Sequence, residues 1–281
     1  MAEREAVAGF CGMSVKPVIA KAFLHRWEEP CISGSRGSGT VFFSGCNLKC
    51  IYCQNYAISQ DNFGKQVSTQ QLAEIFLSLQ EQGAHNINLV NPSHFILQIR
   101  QALVNSHELK IPVVYNSNAY EKKHTLKDMM GLVDVYLPDI KYHSSQVSQR
   151  YSGAEDYFKV ASAAVEEMYS QVGAPVLDDE GIIKKGLIIR HLILPGQAAD
   201  SIKILDWIAS SLPKGVFVSI MSQYTPYYRA ECHPEINRRI TRREYDRVIG
   251  HTARLGLEYG YIQERASAEE CYIPGFDLEG V

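Results

Sequence analysis

The chain has 281 residues, of which 46% are hydrophobic and 21% charged, and its formal net charge at pH 7 is −3. The apolar fraction is enough for a folded core and excludes a wholly disordered chain, while the small charge argues against binding to nucleic acid or to an anionic membrane surface. No stretch approaches about 20 apolar residues and no leader is recognisable, so we expect a cytoplasmic protein without a membrane partner. Seven cysteines, an odd number, fit a reducing compartment and metal binding better than disulfides.

The first 39 residues predict an irregular segment packed on the main domain, with one short strand at residues 18–23. Two cysteines, Cys11 and Cys31, lie in this segment without ligand-like spacing. They are interpreted as free or packing cysteines, and remnants of a structural metal site are the alternative.

Three cysteines follow the strand predicted over residues 40–44: Cys46, Cys50 and Cys53. The CxxxCxxC spacing differs from the paired CxxC units that close a tetrahedral zinc site. Thiolate ligands favour iron–sulfur clusters or zinc, and a cubane held by three cysteines leaves one iron without a protein ligand. The motif therefore predicts a metal centre with one position open to a ligand.

From residue 40 onward, predicted strands and helices alternate. The strands are predicted at residues 40–44, 86–90, 112–115, 133–137, 187–194, 216–221 and 259–262. The helices are predicted after the N-caps Ser68, Ser93 and Thr241 and at residues 121–132, 156–172 and 199–212, with a surface loop at 174–186. About six βα units predict an α/β fold, a partial (β/α)6 TIM-like barrel with a mostly parallel sheet over residues 40–264, followed by a tail at 265–281. A doubly wound open sheet is the alternative.

Polar residues stand where each of these apolar strands ends. In a parallel barrel the carboxyl ends of the strands meet at one edge, so we expect a shared cavity there. After the cysteines, the polar residues at the successive strand ends are Asn91, Ser93 and His94; Asn116, Ser117 and Asn118; Asp139 and Lys141; Arg190 and His191; and Ser222, Gln223 and Tyr224.

The cysteine motif, with Tyr52 directly before its last cysteine, resembles the signature of radical S-adenosylmethionine (SAM) enzymes. The longer string RGSGTVFFSGC at residues 36–46, followed by QNY at 54–56, resembles the pyruvate formate-lyase activating enzyme-like branch of that superfamily. The resemblance implies a [4Fe-4S] cluster on the three cysteines and SAM as the second cofactor, its amino and carboxylate groups chelating the open iron. Electron transfer from the reduced cluster would then cleave a C–S bond and yield a 5′-deoxyadenosyl radical.

The resemblance also suggests residues that contact SAM. Its Asp-x-Lys motif matches Asp139 and Lys141, and its Ile-Arg before a Pro-Gly turn matches the segment around Arg190. The methionine carboxylate needs a cation, which Arg190 or Lys141 can supply. We expect Asn116, Ser117 or Asn118 at the ribose and Tyr52 at the adenine.

Two positions depart from the branch's pattern. The Gly-Gly-Glu motif that binds the methionine amino group is replaced by Pro92, Ser93 and His94 after Asn91. Asn91, Ser93 and His94 are therefore candidate SAM contacts, although Ser93 fits a helix N-cap equally well and His94 a surface residue. A histidine on the sixth strand is also replaced, and Gln223 and Tyr224 are predicted to line the cavity instead.

The resulting prediction is an enzyme that cleaves SAM reductively and abstracts hydrogen from a substrate. Activation of a glycyl-radical enzyme is the reaction that the resemblance implies by default, and radical modification of another protein, a peptide or a small molecule is the alternative. A reducing donor such as flavodoxin or ferredoxin would be a partner. From other classes, a non-catalytic iron–sulfur carrier would normally ligate its cluster fully, and a structural zinc protein would bind no iron or sulfide.

Overall fold

The computed structural model describes residues 9–257, 260–263 and 274–281. Its strands are β1 Val18–His25, β2 Ser38–Phe43, β3 Lys65–Gln66, β4 Ile87–Val90, β5 Val113–Ser117, β6 Val135–Pro138, β7 Val176–Leu177, β8 Ile183–Leu192, β9 Phe217–Met221 and β10 Gly260–Ile262. Its helices are α1 Pro30–Ser33, α2 Tyr56–Ser59, α3 Thr69–Glu81, α4 Ile96–Asn105, α5 Lys123–Lys127, α6 Ser145–Ser152, α7 Tyr157–Val172, α8 Ala198–Ser211 and α9 Arg242–Arg254, with a 3-10 helix at Tyr228–Cys232.

The sheet runs in the order β10-β9-β8-β6-β5-β4-β2-β1-β3, with β7 paired to β8. From β2 to β10 the neighbouring strands of this order are parallel, whereas β1, β3 and β7 pair antiparallel. The parallel strands follow one another in a single direction, without the reversal that a doubly wound sheet requires. Within the described residues the two ends of this sheet do not pair with each other, so the barrel is partial, as predicted, and the strand order rules out the doubly wound alternative.

Successive residues of the central strands face opposite sides of the sheet. Tyr115 and Tyr136 pack on the outer side, in the main core with the helices. Val114 and Val135, their neighbours in the chain, belong to a second cluster on the inner side. That inner cluster includes Ile32 from α1, so α1 fills part of the barrel interior.

The N-terminal segment is more ordered than the sequence predicts. Strand β1 continues to His25, and α1 buries Cys31 and Ile32. Cys31 packs in an apolar cluster with Ile32 and Val114, which agrees with a packing role, and burial raises the pKa of its thiol to about 11. Cys11 is likewise free and buried in the main core.

Several predicted elements are corrected. Residues 174–186 are not simply a surface loop, because β7 and the start of β8 form a hairpin there. Helix α6 was not predicted; Ser144 caps it, Gly153 ends it, and it has too few apolar residues to show a helical periodicity. Helix α5 is shorter than the predicted 121–132 and continues as turns. Residue 259 of the last predicted strand and part of the predicted 265–281 tail lie outside the described residues.

Of the three predicted helix N-caps, two are confirmed and one is wrong. Ser68 and Thr241 each form a capping box at the start of α3 and α9. Ser93 is not an N-cap, because α4 begins at Ile96 with Phe95 in the capping position. In the described part of the chain, no helix combines the length and the apolar character needed to cross a bilayer.

Candidate functional site

The cysteine loop leaves the end of β2 through Gly45, whose backbone is left-handed with φ 84°. A Cβ atom at this position would lie 2.4 Å from Met13 Cγ and 2.8 Å from the Cys11 carbonyl oxygen. Glycine is therefore required both by the backbone conformation and by the close packing. The turn at Gly45 directs the following loop over the carboxyl edge of the sheet.

All three cysteines of the motif line one cavity of about 230 Å³, here called the cluster chamber. Each sulfur has a polar neighbour. The Leu48 N–H and the Asn118 amide each donate to Cys46 Sγ at 3.4 Å. Two serine hydroxyls complete the set: Ser152 donates to Cys50 Sγ at 2.9 Å, and Ser59 Oγ lies 3.2 Å from Cys53 Sγ. Donors of this kind stabilise negative charge on sulfur.

Burial raises the pKa of the Cys46 thiol and raises the pKa of Cys53 to about 12, and the charge of Cys50 adds to both shifts. Thiolates in this chamber therefore need a positive partner. Among the residues with described positions, no three His, Cys, Asp or Glu converge on a single point as they stand. Three thiols on one wall with donors to sulfur do fit a larger iron–sulfur cluster.

A chain of hydroxyl groups connects the aromatic residue of the motif to one of its sulfurs. The Tyr52 and Tyr142 hydroxyls are 2.6 Å apart, and Tyr142 is 2.6 Å from Ser152 Oγ, which in turn donates to Cys50. These residues are buried, so each hydroxyl needs such a partner. This series of hydrogen-bonded hydroxyl groups couples the position of Tyr52 to that of the Cys50 thiol.

Asp139 and Lys141 follow β6 and pair with each other at 3.0 Å. Both side chains are 19% exposed and line the cluster chamber, so this is not a surface ion pair. Burial alone would raise the pKa of Asp139, but Arg190 and Lys141 outweigh it and lower that pKa. Burial would likewise lower the pKa of Lys141, but Asp139 and Cys50 raise it. Both groups are therefore charged at neutral pH.

Arg190 from β8 is enclosed by partners from three parts of the chain. Its Nε donates to Asp139 at 2.7 Å, and its two terminal nitrogens donate to Glu28 at 2.8 Å and to Asn116 at 2.7 Å. Glu28 also accepts from Asn88 at 3.1 Å. The guanidinium thus has a carboxylate or an amide oxygen at each nitrogen.

A second cavity of about 180 Å³, here called the inner chamber, adjoins the first. The two share Asn116, Arg190 and Gln223 in their walls. The inner chamber is also lined by His25, Trp27, Glu28, Glu29, Ser219, Tyr227, Tyr261 and Gln263. It lies between the segment that follows β1 and the strands β5, β8 and β9, which contribute Asn116, Arg190 and Ser219.

The cluster chamber brings together most of the predicted site residues. Its walls include Tyr52, Asn91, Asn116, Ser117, Asn118, Asp139, Lys141, Arg190, Gln223 and Tyr224. The Tyr224 hydroxyl donates to the Ile236 carbonyl at 2.9 Å, so this residue presents its ring to the cavity. Asn118, which donates to Asn47 at 2.7 Å, and Asn91, which donates to the Gly45 carbonyl, both hold the cysteine loop.

Ser93 and His94 do not line the cluster chamber. The Ser93 hydroxyl donates to Glu121 at 3.0 Å, and His94 Nε2 lies 2.6 Å from the Ser44 carbonyl oxygen. Both border a separate groove behind the cysteine loop. Their assignment as SAM contacts stays a prediction without geometric support.

Sequence reasoning did not select His25, Glu28 or Glu29 as site residues. Their only signal in the sequence is a pair of adjacent glutamates, of which Glu29 proves to be buried and Glu28 partly buried. No carboxylate of the described residues pairs with His25, and burial together with the charge of Arg190 lowers its pKa to about 4. The imidazole is therefore neutral at pH 7.

The Radical SAM superfamily profile matches residues 40–208. An uncharacterised protein of Methanocaldococcus jannaschii is 33% identical over 271 residues, which cover 92% of this chain and 73% of that protein.

Solved structures share the fold. Streptococcus suis SuiB bound to its precursor peptide SuiA gives a TM-score of 0.53 at 16% identity, covering 78% of this chain and 46% of SuiB. The enzyme anSMEcpe with bound AdoMet gives 0.51 at 12% identity, covering 78% of this chain and 61% of its own. The chain spans about half to three fifths of these proteins, and at these identities the likeness establishes the fold alone.

Proposed function

Since the chain belongs to the radical SAM superfamily, we propose that it is an enzyme that cleaves SAM reductively and abstracts a hydrogen atom from a substrate. The cofactors of the superfamily are a [4Fe-4S] cluster and SAM. The observation that carries the proposal is the cluster chamber, where all three thiols of the motif face the polar ends of the parallel strands.

Cys46, Cys50 and Cys53 would hold the cluster. When bound and reduced, the cluster supplies the single electron that breaks a carbon–sulfur bond of SAM. The hydrogen bonds from the Leu48 N–H, Asn118 and Ser152 support anionic sulfurs, and the turn at Gly45 fixes the loop. Dithionite can replace the physiological electron donor, for which we propose a flavodoxin or a ferredoxin.

Lys141 is our candidate for the SAM carboxylate. It lines the cluster chamber, carries a positive charge and uses a hydrogen bond to Asp139 to hold its position. Arg190 is less suitable because each of its guanidinium nitrogens already donates to a protein oxygen. We therefore assign Arg190 a positioning role, in which it holds Asp139 and Asn116 in the chamber wall.

The chamber also supports control of a reactive radical. Its walls include the rings of Tyr52 and Tyr224, which pack edge to face with their centroids 5.7 Å apart. Such apolar walls exclude water and prevent side reactions of a reactive intermediate. We propose that Tyr52 and Tyr224 close the cluster chamber on the side of the 3-10 helix.

Two kinds of substrate fit this chemistry. Glycyl-radical activation, by hydrogen abstraction from a backbone glycine, is the reaction that the resemblance implies. Radical modification of another protein, a peptide or a small molecule is the alternative. The carboxyl groups of the inner chamber support the alternative, because a glycine backbone carries no charge for Glu28 and Glu29 to recognise.

The test is an anaerobic assay of reconstituted protein with dithionite and SAM, in which 5′-deoxyadenosine, iron and sulfide are measured. We expect the Cys50→Ala variant to lose both the cluster and the product. Cys232→Ala, which removes an exposed cysteine outside the motif, is the matched control and should retain both. Zinc bound in place of iron, or a fully loaded cluster in Cys50→Ala, would contradict the proposal.

A further inference from the structure

The carboxyl groups of the inner chamber outnumber its cations. Glu28, Glu29 and Arg190 are the charged residues in the described part of its wall. Arg190 donates to both Glu28 and Asp139, and Lys141 also pairs with Asp139. Three carboxyl groups therefore meet two cations, and His25 does not add a third because its lowered pKa leaves it neutral.

Glu29 is the carboxyl group without a cation of its own. Among the described residues, the cation that pairs with it is Arg190, whose Nη1 lies 3.8 Å away, too far for a hydrogen bond. Its side chain is only 6% exposed, and its Oε2 atom has no hydrogen-bond partner within the described structure. A buried acceptor left without a donor is unfavourable, so a ligand that supplies one gains affinity.

We propose that the inner chamber binds a cationic nitrogen of the substrate, an ammonium or guanidinium group on an alkyl chain, and that Glu29 accepts its hydrogen bonds. The inference rests on the proposed function, because it places this group beside the chamber where SAM would be cleaved. It narrows the substrate to one carrying a positive charge.

Other features of the chamber agree with such a ligand. Its volume of about 180 Å³ is below the 300–1,000 Å³ typical of whole drug-sized ligands and suits a single side chain. Trp27, 60% exposed, belongs to its wall, and an indole face attracts both alkyl chains and cations. Burial raises the pKa of Glu29, and a cation beside it would favour the ionised form.

The test measures binding without catalysis. Calorimetric titrations of the reconstituted, SAM-loaded protein, without reductant, use the Nα-acetyl methylamides of lysine, arginine, norleucine and glutamate. We expect the lysine or the arginine derivative to bind about 10- to 100-fold more tightly than norleucine, as for a hydrogen bond to a charged group. Whichever of the two binds more tightly identifies the nitrogen. Equal affinities for all four, or a preference for glutamate, would overturn the inference.

Variants of Glu29 show whether the preference for a cationic derivative comes from this residue. Glu29→Gln keeps the shape but loses the charge, and we expect the preference over norleucine to disappear, whereas Glu29→Asp retains part of it. Glu81→Gln, on the exposed end of α3, is the matched control and should behave as the unaltered protein. If Glu29→Gln weakens SAM binding as strongly as it weakens the lysine derivative, the carboxyl group belongs to the SAM site and the inference is wrong.

The two proposals fail in different ways. Formation of 5′-deoxyadenosine without any preference for a cationic derivative overturns the inference and leaves the proposed function standing. A charge preference that depends on Glu29, in a protein that binds no cluster, supports the cation site but contradicts the proposed function.

Discussion

The two chambers are built from buried polar groups in opposite ways. In the cluster chamber, the three sulfurs come from eight consecutive residues, and each has a polar neighbour within 3.4 Å. In the inner chamber, the charged groups come from distant parts of the chain: Glu28 and Arg190, 162 residues apart, meet at 2.8 Å.

This difference shows which part of the site is a local motif and which is assembled by the fold. In the cluster chamber each sulfur has a polar neighbour, and a bound metal centre would neutralise the thiolates. The inner chamber carries an excess of carboxyl groups over cations and an acceptor without a donor. The first arrangement suits a resident cofactor, and the second suits a ligand that brings its own charge.

The largest effect on the difference between the two chambers is expected for Arg190→Ala. This substitution leaves Asp139 and Glu28 buried without their shared cation, which should lower the free energy of unfolding by about 3–5 kcal/mol. Chemical denaturation measures the loss. Arg238→Ala removes a more exposed pair with Glu244 and should cost below about 1 kcal/mol. Similar losses in the two variants would show that the Arg190 network is not a desolvated unit.

The pH dependence of the unfolding free energy tests the electrostatic environment of His25 in the inner chamber. Its pKa falls from an ordinary 6.5 to about 4 on folding, so between these values the unfolded chain binds more protons than the native one. Stability should therefore decrease as the pH falls, by about 2 kcal/mol between about pH 7.5 and about pH 5 from this group alone.

The variant His25→Phe should remove this contribution, leaving a shallower dependence of unfolding free energy on pH. His107→Gln, at an exposed position outside both chambers, is the control and should leave the slope unchanged. An unaltered slope in His25→Phe would mean that the imidazole is not buried beside Arg190.

The smallest effect is expected for Ser152→Ala in the cluster chamber. It removes the hydroxyl that donates to Cys50 Sγ and interrupts the chain to Tyr52, at a cost of about 1 kcal/mol in stability. With Cys50 as a ligand of the cluster, as proposed, loss of this hydrogen bond should also lower the reduction potential, because the reduced cluster is more negative. A redox titration followed by EPR measures this shift. Ser170→Ala, exposed on α7, should not alter the potential.

Ser93 and His94 show the limit of reasoning from strand ends. They follow β4 at a point where side chains were expected in the cavity, but the backbone turns left-handed at Asn91, with φ 58°. The chain then passes behind the cysteine loop, where His94 meets the Ser44 carbonyl. A single positive φ at a non-glycine residue is not encoded in any periodicity, so the sequence pattern could not reveal it.

The cysteine motif, the βα alternation and the parallel barrel could be predicted from the sequence alone, because these depend on local spacing and hydrophobic period. The sequence also identified Asp139, Lys141 and Arg190 as polar residues at neighbouring strand ends. How their charges are paired depends on the tertiary structure. Whether Arg190 contacts a ligand or neutralises Glu28 depends on which side chains the barrel encloses with it, and desolvation sets the strength of each pairing only after the chain has folded.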